Sequence, residues 1–499
     1  MKTMLKRGAG VLLPVFSLPS PYGIGTFGAA AREFIDCLKA ARQSYWQVLP
    51  LGPTSYGDSP YQSFSAFAGN PYFIDLDTLR EEGLLLQEEI DACGWGGNPE
   101  EIRYDLLYET RFALLKKAFA RSRHQESAAY RDFVEENKDW LSDYSLYMAL
   151  KKHFGDRAWT EWDGDVRFRR PSAMEAARAR FAQEMEYWSF LQFHFFKQWE
   201  ALRAYAAERE ISIVGDIPIY VALDSADVWS HPELFQLDQE TLTPTRVAGV
   251  PPDAFSDDGQ LWGNPLYDWE RMEAEDFAWW KRRMEASAKL YDVLRIDHFI
   301  GVVQYYSIPY GVETAKEGRW EKGPGKKLTD ALDASAGKTR IIAEDLGIYV
   351  PEVKELLAKT GYPGMKIIEF AFSGDRFNEH LPHCYEPNSV VYGGTHDNET
   401  LAGYFTVEKR QWWELQYIAD YLGAAHQSEV VDRVFRAAYG SVASVAIFQM
   451  QDVLKLDNRA RMNTPGTVGG NWRWRMRQGQ FDRERIEYLA WLVDIFGRF

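Results

Sequence analysis

Eight short apolar runs, separated by stretches with helical periodicity, constrain this chain more than any other feature of its sequence. They are GVLLPVF (10–16), YWQVLPL (45–51), ISIVGDI (211–217), VLRIDHF (293–299), RIIAEDL (340–346), MKIIEFA (365–371), SVVYGGTHD (389–397) and SVAIFQM (444–450). Apolar/polar alternation vanishes when neither face of a strand meets water, so such runs read as strands of a parallel sheet buried on both sides. The connections agree. Ala31, Phe34, Ile35 and Leu38 make an i, i+3, i+4, i+7 stripe between the first two runs, and Pro351 and Gly361 bracket a helix after the fifth. The expected fold is therefore of the α/β class, a (β/α)8 TIM barrel with its active site at the carboxyl ends of the strands.

Two gaps are too long for simple crossovers. Residues 80–210 are charge-rich and helical in pattern, as in EEIRYDLLYETRFALLKKAFA, and predict a helical insertion after strand two. Residues 218–277, rich in Pro, Gly and Asp with little periodicity, predict a loop-rich insertion over the barrel mouth. The division that follows is 1–79 for strands one and two, 80–210, 211–217 for strand three, 218–277, and 278–499 for strands four to eight and the C-terminal helices. Repeats of solenoid period and low-complexity linkers are absent, which favours one catalytic body.

Composition narrows the function. With 73 acidic and 57 basic residues the formal charge is −16, which leaves no basic surface for nucleic acid or anionic lipid and favours a neutral or cationic substrate. No apolar run approaches the roughly 20 residues that span a bilayer, and the initial VLLPVF is short and broken by Pro14, so a signal peptide is not expected. Cys37, Cys93 and Cys384 are scattered, without disulfide or zinc spacing, as in a reducing cytoplasm. Aromatic residues reach 15%; core packing accounts for most, and flat rings that stack on sugar faces would account for the rest. GIGTFG (23–28) has neither nucleotide-binding spacing, and no serine elbow or His-rich metal motif is present, so no cofactor and no metal are expected.

The charged residues that end the runs remain. Strand four closes in Arg295-Ile296-Asp297-His298, strand five in Ala343-Glu344-Asp345, and strand seven in Thr395-His396-Asp397-Asn398. Three carboxylates thus converge on one rim. A single acid at a strand end is usually a cap or an ion pair; three, each beside His, Arg or Asn, point to chemistry. Retaining cleavage of a glycosidic bond needs a carboxylate nucleophile and a carboxylic acid about 5–5.5 Å apart, a spacing that neighbouring strands supply. Period-two alternation puts Arg295 on the face of Asp297, where its guanidinium favours the anion a nucleophile must be. Glu344 needs burial or a neighbouring negative charge to keep the proton it would donate. Asp297, Glu344 and Asp397 could in principle bind Mg²⁺, as in enolase-like barrels, although the spacing of a metal motif is absent.

VLRIDHF, IIAEDLG and YGGTHDNET resemble glycoside hydrolase family 77, the amylomaltase or disproportionating-enzyme relatives of the α-amylases, and so do residues 49–76, 214–229 and 247–269. The resemblance runs in order along nearly the whole chain. It implies a retaining 4-α-glucanotransferase acting on malto-oligosaccharides and amylose with glucose as an acceptor, and an α-amylase-like hydrolase as the alternative. It further implies Asp297 as nucleophile, Glu344 as acid and base, and Asp397 as the residue that distorts the bound sugar. Arg295, His298, His396 and Asn398 would bind the donor sugar or fix the carboxylates. Tyr61 and Trp262 would be aromatic platforms with Asp216 and Phe370 nearby, and the loop holding Pro251, Asp253 and Phe255 would cover the acceptor side. Tyr56 and Tyr104 would form a secondary glucan site. Glu369 departs from a Gln frequent in relatives and is the rival carboxylate.

Overall fold

The computed structural model describes residues 4–55, 57–252, 256–406 and 410–499. Its strands, in chain order, are β1 (Gly8–Leu12), β2 (Tyr45–Gln47), β3 (Ser212–Pro218), β4 (Arg246–Val250), β5 (Gln260–Pro265), β6 (Val293–Asp297), β7 (Gln304–Pro309), β8 (Arg319–Lys322), β9 (Arg340–Ala343), β10 (Gly364–Ile367), β11 (Ser389–Tyr392) and β12 (Val445–Gln449). Eight form one parallel sheet in the order β10-β11-β12-β1-β2-β3-β6-β9. The outer strands meet where the Ala343 N–H donates to the Pro363 carbonyl at 3.0 Å, and the Asp345 carboxylate accepts the Met365 N–H at 2.8 Å across the same seam. The result is a (β/α)8 barrel.

Each of the eight apolar runs overlaps one barrel strand, yet most strands are shorter than their runs. The run at 10–16 contributes only Gly10, Val11 and Leu12, because Pro14 has no N–H for the ladder and Val15–Ser17 turn as a 3-10 helix. The run at 365–371 stops at Ile367 and turns through Ile368–Phe370. The helix Ala29–Ala40 buries Ala31, Phe34, Ile35 and Leu38 against the barrel, and the helix Pro351–Thr360 ends on Gly361 at φ 72°, a left-handed cap that glycine adopts without strain.

Between β2 and β3 the chain is helical, with long helices at Tyr104–Arg121, Lys138–His153 and Ala182–Glu208. The longest packs Phe190, Leu191, Phe195, Trp199 and Leu202 inward. After β3 the structure adds an element that periodicity did not reveal. β4 and β5, inside the Pro/Gly-rich stretch, form an antiparallel sheet with β7 and β8 in the order β5-β4-β7-β8. β7 and β8 lie within the part of the chain otherwise given to the barrel. These strands are short and interrupted by Gly and Pro, and the β4–β7 pairing that joins the two hairpins spans more than forty residues, so no local pattern announces the sheet. Among the described residues no helix is long and apolar enough to cross a membrane.

Candidate active site

Every second residue of a barrel strand points inward. Followed toward the carboxyl ends, the inner faces change from apolar to polar. β6 presents Val293, then Arg295, then Asp297; β3 presents Val214, then Asp216; β9 presents Ile342, and Glu344 follows it one residue past the strand. The apolar members pack with Leu12, Tyr45, Met365, Val390, Tyr392 and Ile447 into the barrel's inner core. The polar members sit on top of it.

Register makes these side chains neighbours. Asp216 lies opposite Arg295, Ile296 opposite Ala343, and the Glu344 N–H donates to the Ile296 carbonyl at 3.1 Å, so Glu344 and Asp297 occupy adjacent positions on adjacent strands. Arg295 is buried and bridges two acids, Nη1 to Asp216 Oδ2 at 2.6 Å and Nη2 to Asp297 Oδ1 at 2.9 Å. Its Nε reaches Met365 Sδ at 3.4 Å. The Tyr61 hydroxyl donates to the same Asp216 oxygen at 2.8 Å. Burial pushes the Asp216 carboxyl up, and the Arg295 guanidinium opposes that push.

Glu344 meets a different environment. Its Oε2 accepts the His298 N–H at 2.6 Å and its Oε1 accepts the Leu346 N–H at 3.0 Å. Burial, and after it the charge on Asp297, push this carboxyl up to about 8; Arg295 and the two N–H donors offset only part of the rise. Of two neighbouring carboxyls, one is therefore paired with a guanidinium and one retains a proton near neutrality. His298 supplies its N–H from a left-handed conformation, φ 51°, which a non-glycine residue holds only when its surroundings dictate it. Its ring meets Trp262 edge-on with centroids 4.8 Å apart, and burial lowers its imidazole to about 4.

The third acid stands on a loop, not a strand. Asn398 folds that loop, its Oδ1 accepting from Thr395 N and Thr395 Oγ1, both at 2.8 Å. Asp397 projects from it half-exposed, with Oδ2 3.5 Å from His396 Nε2. The buried His396 ring stacks on Tyr61, centroids 5.1 Å apart and planes 17° apart, which ties Asp397 to the Asp216–Arg295–Asp297 group through Tyr61. Two residues absent from the sequence-based assignment complete the loop: Asn463 donates to Asp397 Oδ1 at 2.6 Å and Arg461 to the Asp397 carbonyl at 2.7 Å. The signal available for them was the Pro/Gly-rich string NTPGTVGG, which begins at Asn463 and marks a loop.

Phe370 packs against the inner barrel cluster and meets His380 edge-on at 5.6 Å. Glu369 is buried, and burial, followed by the charges on Asp452 and Glu399, raises its carboxyl well above the usual range. The largest charge effects on it come from Asp452, Glu399, Arg461 and Arg410. Trp262 also borders a cleft of about 1230 Å³ that runs between the loop at 53–72 and the helical insertion, past Tyr72, Tyr104, Tyr108 and Phe112. Asp297 and Glu344 lie outside its lining. Tyr104 is buried there, its hydroxyl donated to the Trp472 carbonyl at 2.9 Å. Pro251 is half-buried at the end of β4, whereas Asp253, Phe255 and Tyr56 lie outside the described residues. Among the described residues, no three His, Cys, Asp or Glu side chains are grouped to hold a metal ion.

Fold and rim together define an α/β-barrel enzyme with one guanidinium-paired carboxylate beside one buried acid. A family profile described as 4-alpha-glucanotransferase matches residues 13–480, and the chain belongs to that family, glycoside hydrolase family 77. It is 48% identical over 484 residues to a 4-alpha-glucanotransferase of Clostridium butyricum, covering 97% of this chain and 99% of that one. A Streptococcus pneumoniae 4-alpha-glucanotransferase is 47% identical over 497 residues, covering 99% and 98%. The solved amylomaltase of Streptococcus agalactiae, in complex with acarbose, superposes with a TM-score of 0.95 at 42% identity, covering 99% of this chain and 100% of that chain.

Proposed function

We propose that this enzyme moves α-1,4-glucan segments between malto-oligosaccharide or amylose chains, with glucose among its acceptors, through a covalent β-glucosyl intermediate and net retention. One observation carries the mechanism: Asp297 and Glu344 stand side by side on adjacent strands in opposite electrostatic settings. Adjacent strands lie about 4.8 Å apart, within reach of the about 5–5.5 Å that separates the carboxyls of retaining enzymes.

In the proposed cycle Glu344 gives its proton to the glycosidic oxygen as that oxygen leaves C1, and an Asp297 oxygen bonds to C1 from the opposite face. The reducing-end fragment departs with a new 4-hydroxyl. Glu344, now the carboxylate, takes the proton from the 4-hydroxyl of an incoming glucan, whose oxygen attacks C1 and releases Asp297. Asp397 binds the donor sugar and holds it toward the transition state, while Arg295 keeps Asp297 aimed and charged. His298, His396, Asp216 and Phe370 line the donor position, and Tyr61 and Trp262 offer ring faces beside the scissile bond. Transfer exceeds hydrolysis when an acceptor occupies the site before water does; the aromatic cleft past Tyr104 supports such acceptor capture, and its secondary-site role belongs to the same proposal.

Incubation with maltotriose tests the reading. Glucose together with maltodextrins longer than the substrate is the expected product set. Glucose and maltose alone, with reducing ends rising in step, would replace the transferase with a hydrolase.

A further inference from the structure

The three rim acids are not held alike. Asp297 is the last residue of β6 and Glu344 follows β9 directly, so the barrel ladder fixes both. Asp397 stands five residues beyond the end of β11, where the sheet offers no support. A side chain that must meet a sugar within a fraction of an ångström needs support from elsewhere.

That support comes from the segment after β12. The Asp452 carboxylate accepts the Leu401 N–H at 2.7 Å. Asn458 accepts the Thr400 N–H at 3.1 Å and donates to Glu399 Oε1 at 2.9 Å. Arg461 donates to the Asp397 carbonyl at 2.7 Å and through Nε to the Asn463 carbonyl at 2.8 Å, so one guanidinium spans both loops. Asn463 completes the set with its amide on Asp397 Oδ1 at 2.6 Å. Met462 between them is buried, and the Trp472 N–H donates to its carbonyl at 2.8 Å, which anchors the segment.

We infer that Asn463, backed by Arg461, is the positioning residue for Asp397: it engages Oδ1 and leaves Oδ2, beside His396, as the oxygen offered to the donor sugar. The inference rests on the proposed role of Asp397 and extends it. An amide suits the task because it donates without adding charge. An Asp in its place would set two carboxylates against each other, and a Lys would neutralise an oxygen that has to attract sugar hydroxyls.

Steady-state kinetics on maltotriose with Asn463→Ala, Asp397→Asn and the double variant, each checked by thermal melting, separates the possibilities. Asn463→Ala should lower kcat by about 10- to 100-fold, the scale of a mispositioned group, with KM within about twofold. In the double variant its effect should vanish, because Asp397 is no longer there to position. An undiminished kcat, a full second loss on top of Asp397→Asn, or a change confined to KM each overturns the inference; the last would make Asn463 a direct sugar contact. Should Asp397→Asn itself keep wild-type turnover, the underlying role of Asp397 falls, whatever Asn463 does. Asn463→Asp provides a readout that a purely structural role would not move. The titratable and charged groups facing Asp397 are the His396 imidazole and the Arg461 guanidinium, with Tyr61 behind the histidine. A further carboxylate among them should shift the acid limb of the kcat profile to higher pH, and an unmoved limb counts against the inference.

Discussion

Replacing Glu344 by Gln separates its two proposed jobs, because each half of the proposed cycle uses a different protonation state. Loss of a positioned general acid costs about 10²- to 10⁴-fold, or about 3–5.5 kcal/mol in the barrier. Maltotriose, whose leaving group is a sugar alkoxide, should show the whole of it. α-Glucosyl fluoride needs no proton to leave, so the variant should still glucosylate Asp297 at a rate near wild type. It has no base for the second half, and without a strong external nucleophile the adduct should accumulate. Intact-protein mass spectrometry should then show the mass of one anhydroglucose, mapping to the peptide containing Asp297. The structure adds a stability cost. Both Glu344 oxygens accept backbone N–H groups, His298 at 2.6 Å and Leu346 at 3.0 Å, and a Gln amide must turn its NH₂ against one of them. That mismatch is worth about 1–3 kcal/mol, so the variant should melt earlier and its rates should be measured well below that transition. In the wild type, turnover of maltotriose should decline as pH rises through about 8, where Glu344 gives up its proton, and glucosylation by the fluoride should lack that limb. Equal losses on the two donors, or an adduct on any other residue, would refute the assignment of Glu344 as the acid.

Two further substitutions probe the buried charges. Arg295→Lys keeps the cation, but one ammonium cannot span Asp216 and Asp297 as the guanidinium does at 2.6 and 2.9 Å; kcat should fall by at least about 10²-fold, and near-normal turnover would show that the bridge does not orient the nucleophile. Glu369→Gln should leave turnover at neutral pH little changed and should flatten the dependence of stability on pH. In the wild type the folded state keeps Glu369 protonated while the unfolded chain ionises above about 4.3, so folding takes up a proton and loses about 1.4 kcal/mol per pH unit until the raised folded value is reached. Denaturant unfolding at several pH values should show the variant gaining on the wild type as pH rises; parallel curves would mean that Glu369 is ionised in the fold.

Much of this was legible in the amino-acid order, for a definite reason. A barrel strand buried on both sides writes itself as an unbroken apolar run, and all eight runs overlap a strand. Their ends were read too far, since the residues that leave a strand at its carboxyl end stay apolar while they pack under the rim loops: Leu49 and Leu51 are buried after β2, Ile368 after β10. The small sheet of β4, β5, β7 and β8 was illegible because its strands are short and broken by Gly and Pro, and because its central β4–β7 pairing joins distant segments. Asp397 was legible as an acid beside a histidine, but its support was not. Asn463 is 66 residues further on, and no periodicity links two loops that meet only because β11 and β12 are neighbours in the sheet.

The division of labour between the two central carboxyls follows from depth in the barrel. Each step of two residues along a strand climbs about 6.6 Å, so Val293, Arg295 and Asp297 occupy three successive levels of one inner face. The lowest level needs an apolar side chain to fill the core. At the middle level a guanidinium survives burial, with only 3% of its side chain exposed, because Asp216 pairs with it from the next strand. The top level opens to the cleft, and Asp297, 26% exposed in its side chain, borrows the second arm of that guanidinium from below. Arg295 has then spent both arms. Glu344, on the neighbouring strand at the same height, finds backbone N–H groups but no cation of its own, and faces the charge on Asp297. A carboxyl in that position keeps its proton longest. Burial, and after it the charge on Asp297, raise the Glu344 carboxyl, while the one arginine beneath the two acids pairs with Asp297 alone, so side chains that differ by a single methylene enter the proposed cycle in opposite protonation states.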